Sequence, residues 1–125
     1  MEDEKVIYKD LSYKIVGLAM KVHGELGCGF LEKVYENALM LMFKKEGIEA
    51  EQQAPIHVMF QEHVIGEYYA DILVEGKIIL EVKTVDQIIA AHVSQVINYL
   101  KATGLKLGMI MNFGEDSFEY KRVVL

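Results

Sequence analysis

Along the chain, apolar residues first recur at helical spacing: Tyr8, Leu11, Ile15, Leu18, Ala19, Val22 and Leu26 mark one side of an amphipathic helix over residues 8 to 26. Asp10 is expected to cap its start, and Gly27-Cys28-Gly29 to stop it. A second helix is expected from Leu31 to Glu46, ending at Gly47, with Leu31, Val34, Tyr35, Ala38, Leu39, Leu41, Met42 and Phe43 on its apolar arc. That arc is wide, which predicts a largely buried helix.

After Gly47 the period changes from helical to alternating. Ile56, Val58 and Phe60 alternate with their neighbours, and Tyr68, Ala70, Ile72 and Val74 alternate against Glu67, Tyr69, Asp71 and Leu73, so both runs read as strands. Pro55 falls near the start of the first, where an edge or entry position tolerates it. Glu75-Gly76-Lys77 then turns the chain into the β-branched run Ile78-Ile79-Leu80-Glu81-Val82-Lys83, a central strand in hairpin with the one before. Helical spacing returns over 87 to 103 through Ile89, Val93, Val96, Ile97 and Leu100, stopping at Gly104, and strands follow at 105 to 112 and 118 to 124. The order α-α-β-β-β-α-β-β, with no linker or repeat, predicts one layered α/β domain over residues 1 to 125, its mixed sheet flanked by helices.

The third strand is where chemistry enters. Ile79, Glu81 and Lys83 share one face of it, so a carboxylate and an ammonium project together. Asp71 reaches that face only if the hairpin loop has an odd number of residues, such as three including Gly76. It then pairs with Glu81 at a Cβ separation of roughly 5 to 8 Å. Carboxylates that close repel unless a cation lies between them, and Mg²⁺ or Mn²⁺ is the natural one, with Lys83 as electrostatic partner or orienter of an attacking water. The plainer reading makes Asp71 and Glu81 solvated polar residues, with Lys83 paired to Glu81.

On the second helix Glu32 falls between Leu39 and Phe43 at the edge of the apolar arc, where an unpaired carboxylate is costly. A metal answers that need, and so do the helix N-terminal dipole and backbone amides. Tyr35 lies on a neighbouring part of the same face, with its hydroxyl available to the site or its ring to the core.

Gly29-Phe30-Leu31-Glu32-Lys33-Val34-Tyr35 matches Gly-x-x-Glu-x-x-Tyr and resembles the signature of the bacterial GxxExxY family. Asp71 followed by Glu81-Val82-Lys83 is similar to the PD-(D/E)XK nuclease motif on a hairpin, with Ala70 standing where the motif's name has proline. Together the resemblances cover nearly the whole chain and imply the restriction-endonuclease-like fold, with Glu32, Asp71, Glu81 and Lys83 gathered around a divalent metal. Gln95 and Tyr99, one turn apart on the third helix, resemble the Gln-x-x-x-Tyr element that lines the active site of RecB-like nucleases.

Composition bounds what that site acts on. A hydrophobic content of 52% in 125 residues suits one core. The opening MEDEKVIYKD is acidic and leads into no uninterrupted apolar run, so neither a secretory signal nor a membrane span is expected and the chain reads as cytoplasmic. Cys28 stands alone, which excludes an internal disulfide, and is expected to be structural. The histidines at 23, 57, 63 and 92 lack ligand spacing, no Gly-x-Ser-x-Gly or phosphate loop is present, and Met40, Met42, Met109 and Met111 read as core filler. A net charge of -6 with Arg122 as sole arginine argues against a simple nucleic-acid clamp. Two functions follow: a metal-dependent nuclease cleaving phosphodiester bonds in DNA or RNA, or a catalytically idle domain of the same fold that binds a protein partner or self-associates through apolar strands.

Overall fold

The structure, a computed structural model, describes residues 6–125; part of the acidic opening segment, residues 1–5, lies outside the described residues. Two helices, α1 (Lys9–Leu26) and α2 (Glu32–Lys45), precede the strands β1 (Ala50–Phe60), β2 (His63–Val74) and β3 (Ile78–Lys83), then come α3 (Ala90–Thr103), β4 (Leu107–Asn112) and β5 (Glu119–Val124). The strands form one sheet in chain order, antiparallel except that β3 and β4 are parallel neighbours joined across α3. Helices α1 and α2 cover one face, packing on Ile72, Val74, Leu80, Val82, Met109 and Met111. Helix α3 covers the other, over Ala54, Ile56, Ala70, Ile79 and Ile110. Gly108 lets α3 approach that closely, because a Cβ there would collide with Val96. No helix among the described residues is long and apolar enough to cross a membrane.

The boundaries differ from the sequence reading in three instructive places. Helix α1 begins after Tyr8, which is left-handed and whose carbonyl accepts the Ser12 N–H, so Asp10 lies inside the first turn and is not the cap. Its charge there still favours the helix dipole. Helix α2 buries only Tyr35, Glu36, Leu39 and Phe43, while Leu31 and Leu41 face outward, because it has neighbours on one side alone. Strand β1 starts at Ala50, six residues before its alternating apolar run, so Pro55 is mid-strand, in the edge position that tolerates a missing N–H.

The β2–β3 hairpin has the odd loop. Val74 pairs with Ile78, Leu73 with Ile79 and Ile72 with Leu80, leaving Glu75, Gly76 and Lys77 to turn. Glu75 and Gly76 both take positive φ, and the Lys77 N–H returns to the Val74 carbonyl at 2.9 Å. Continued one step, this register sets Asp71 opposite Glu81.

Strand β2 does not keep the regular alternation expected from Tyr68 to Val74. Ile72 and Val74 lie under α1 and α2, yet Ala70, of the same parity, lies under α3. On β1 the same switch separates Ala50 from Ala54 and Ile56. The register keeps its phase from Gln52↔Ile72 to Ala54↔Ala70 but leaves the step between them, Gln53 against Asp71, unpaired, and both strands pivot there. Gln53 has φ of 54°, a conformation that costs a non-glycine residue on the order of 1 kcal/mol. Beyond the pivot, the hairpin of β1 and β2 continues past β3 as a two-stranded arm.

Candidate active site

The ladder between β2 and β3 ends at Ile72↔Leu80, and carboxylates take over from backbone carbonyls at the next step. Glu81 Oε2 accepts the Asp71 N–H at 3.0 Å, and Asp71 Oδ2 accepts the Val82 N–H at 2.8 Å. The two acids are thereby crossed over the splayed end of the hairpin, each locked by a backbone amide from the other's neighbourhood. Glu81 is only 4% exposed. Burial, and then the Asp71 charge, push its carboxyl up to about 8, against the pull of the Asp71 N–H and Lys83. Asp71 is also raised, first by burial and then by the charges of Glu36 and Glu32, while the Val82 N–H and Lys83 oppose the rise.

Two further elements, α2 and α3, converge on this pair. Glu32, the first residue of α2, is exposed, and its Oε2 accepts the Thr84 N–H at 3.3 Å, docking the helix N-terminus on the end of β3. Lys83 reaches α3, where its Nζ donates to Gln95 Oε1 at 3.4 Å. Tyr99, one turn beyond Gln95, is raised by burial and then by the charges of Glu81 and Asp71, with a hydrogen bond to Gln95 opposing, so its hydroxyl feels both acids. Its ring lies 5.6 Å from that of Tyr68 on the arm. Six of the residues singled out from sequence, Glu32, Asp71, Glu81, Lys83, Gln95 and Tyr99, therefore belong to one neighbourhood drawn from four elements.

Tyr35 goes elsewhere. Its hydroxyl donates to the Gly27 carbonyl at 2.6 Å and accepts the Phe30 N–H at 3.3 Å, and its buried ring stacks on Phe113 at 4.6 Å. It ties the turn between the helices to the core. The histidines do local work too: His23 Nε2 contacts the Glu115 carbonyl at 2.7 Å, and His92 Nδ1 accepts the Ile89 N–H at 3.1 Å, closing the start of α3.

Glu36 is the site residue that the sequence reading passes over. It, and not Glu32, is the carboxylate buried on the apolar stripe, at 3% exposure. Lys33 Nζ donates to it at 3.0 Å, Gln52 Nε2 at 2.6 Å and Gln53 Nε2 at 3.1 Å. The signal was its spacing, three residues before Leu39 and seven before Phe43, which sets it on their stripe more squarely than Glu32.

Among the described residues no three of His, Cys, Asp and Glu form a ready-made metal-ligating group. Asp71, Glu81 and Glu32 each spend an oxygen on a backbone amide instead. The donor chemistry nonetheless fits a hard divalent cation: two adjacent, partly desolvated carboxylates, both destabilised in their charged forms.

A family model of the PD-(D/E)XK nuclease superfamily matches residues 9–123. Among solved structures, SSO0001 is similar at a TM-score of 0.58 and 17% identity, over 74% of this chain and 50% of that one. At that identity the likeness speaks for the fold, and the chain spans half the length of that structure. No curated protein matches the chain. The mixed five-stranded sheet flanked by helices agrees with the restriction-endonuclease-like fold, and the chain belongs to the PD-(D/E)XK nuclease superfamily.

Proposed function

We propose that this protein is a metal-dependent nuclease of the GxxExxY group, in which Asp71 and Glu81, joined by Glu32, hold Mg²⁺ or Mn²⁺. The observation that carries this reading is the crossed Asp71–Glu81 pair, two carboxylates held side by side although burial and neighbouring carboxylate charges disfavour the charged form of each. A domain kept only for its surface has no physical need of that arrangement. A bound divalent ion would supply Lewis-acid polarisation of a phosphodiester and lower the pKa of bound water. Lys83 supplies positive charge beside the pair, and Gln95 fixes its ammonium from α3. Tyr99 offers a hydroxyl on the same side, and Tyr35 supports the site at one remove by fixing the turn that leads into Glu32.

A second reading is favoured by the arm, where Met59, Phe60, Val64, Ile65 and Tyr69 are all more than half exposed. On that reading the domain is catalytically idle and docks a protein or another copy of itself. Incubation of purified protein with labelled single- and double-stranded DNA and RNA, with Mg²⁺ or Mn²⁺, separates the two. Cleavage abolished by chelator and by Glu81→Ala is the expected result; intact substrates throughout, with folded protein, would leave the docking reading standing.

A further inference from the structure

The pivot in β1 and β2 poses a question that the metal reading does not answer: what holds Asp71 against Glu81. Successive residues of a regular strand point to opposite faces. Gln52 and Gln53 nevertheless send both side-chain amides to one carboxylate, that of Glu36. They do so because Gln53 is left-handed, which turns its side chain to the side of Gln52. The register sets Gln53 opposite Asp71, so the same twist that brings the two amides together reverses the facing of β2 at Asp71. Glu36 is also buried, and a buried carboxylate requires partners. Strained backbone and buried charge thus satisfy each other across α2 and the sheet.

We infer that Glu36, through Gln52 and Gln53, is a positioning clamp that fixes the β1–β2 pivot and so holds Asp71 in register with Glu81. Its consequence for metal binding rests on the function proposed above; the clamp itself does not. Glu36 touches neither acid by a hydrogen bond, and its charge adds to the repulsion that raises both. A residue kept only for the core would be served better by an apolar side chain on the Leu39–Phe43 stripe.

The test compares Glu36→Gln with Glu36→Ala by amide hydrogen exchange in chelator, followed at the Asp71 and Val82 amides that donate across the pair, and then by Mn²⁺ titration. Glutamine keeps an acceptor and can also donate to a Gln side-chain oxygen, so it preserves the clamp without the charge. Exchange at the two amides and Mn²⁺ affinity should stay within about threefold for Glu36→Gln and worsen at least about tenfold for Glu36→Ala, the scale of lost ligand-orienting partners. Unchanged protection at both amides in Glu36→Ala would overturn the inference, as would equal damage by the two variants, which would assign the effect to charge. Should Glu36→Ala fail to fold, Gln53→Gly decides: glycine suits the positive φ, so the chain should remain folded while both amides lose protection, and retained protection would overturn the clamp. A wild-type protein that binds no Mn²⁺ would refute the metal reading, and the exchange comparison would still judge the clamp.

Discussion

Glu81 is the residue at which sequence, energetics and chemistry meet. Its carboxyl sits near 8 in the folded chain against an ordinary value of 4.5, because burial and Asp71 both disfavour the charge. A raised carboxyl stabilises the fold fully below the ordinary value and loses that contribution as pH climbs through about 8. The metal-free protein should therefore lose thermal stability between about pH 5 and pH 9, with Asp71 contributing in the same direction. Glu81→Gln keeps an acceptor for the Asp71 N–H without the charge, so thermal melts in chelator should show a flatter pH dependence and a higher Tm at pH 9 than wild type. A variant that melts lower at pH 9 would show that the ionised carboxylate is comfortable where it is. Tyr35 is the contrasting case, a motif residue whose work is structural. Tyr35→Phe leaves the Gly27 carbonyl and the Phe30 N–H without their partner and should cost about 1 to 2 kcal/mol in urea unfolding. The hydrogen-bonded Asp71–Glu81 pair should be unaffected, and cleavage by the folded variant should fall only modestly, through the turn that leads into Glu32.

At the scale of elements, the order of helices and strands was legible because each changes the hydrophobic period where it begins, and the Glu-Gly-Lys turn fixed the odd loop on which the Asp71–Glu81 pairing depends. The first half of β1 was not legible. Ala50-Glu51-Gln52-Gln53-Ala54 shows no apolar alternation, because an edge strand near its pivot buries little. The pivot itself was equally hidden, since a glutamine at positive φ has no sequence signature of the kind glycine gives. That gap explains why the buried helix carboxylate was expected at Glu32. The partners that make burial of Glu36 tolerable, Gln52 and Gln53, belong to a segment that did not read as a strand. Glu32, singled out through its motif, lies on the exposed rim of that neighbourhood and reaches Thr84.

For the whole molecule, charge sets the terms on which nucleic acid would bind. The net charge is -6, and no Lys or Arg stands between Lys45 and Lys77, the stretch that forms the arm and delivers Asp71. The single arginine is engaged within the fold, its guanidinium donating to Ser12 Oγ and the Ile7 carbonyl, both at 2.7 Å. Few phosphates can therefore be neutralised by side chains. At fixed Mg²⁺, binding of DNA to a cleavage-deficient variant should show a shallow salt dependence, a log–log slope of about -1 to -2, where a basic clamp gives about -6 or steeper. A steep slope, measured by anisotropy over a range of KCl, would mean that residues outside this account carry the phosphates. Metal is accordingly the hinge of the whole reading, and Mn²⁺ binding at pH 8.5, by calorimetry or electron paramagnetic resonance, tests it most directly. The folded wild-type chain should take up Mn²⁺, and Asp71→Asn and Glu81→Gln should each weaken uptake at least about tenfold; a folded wild type that binds none, or variants that bind as tightly, would rule out metal at this pair.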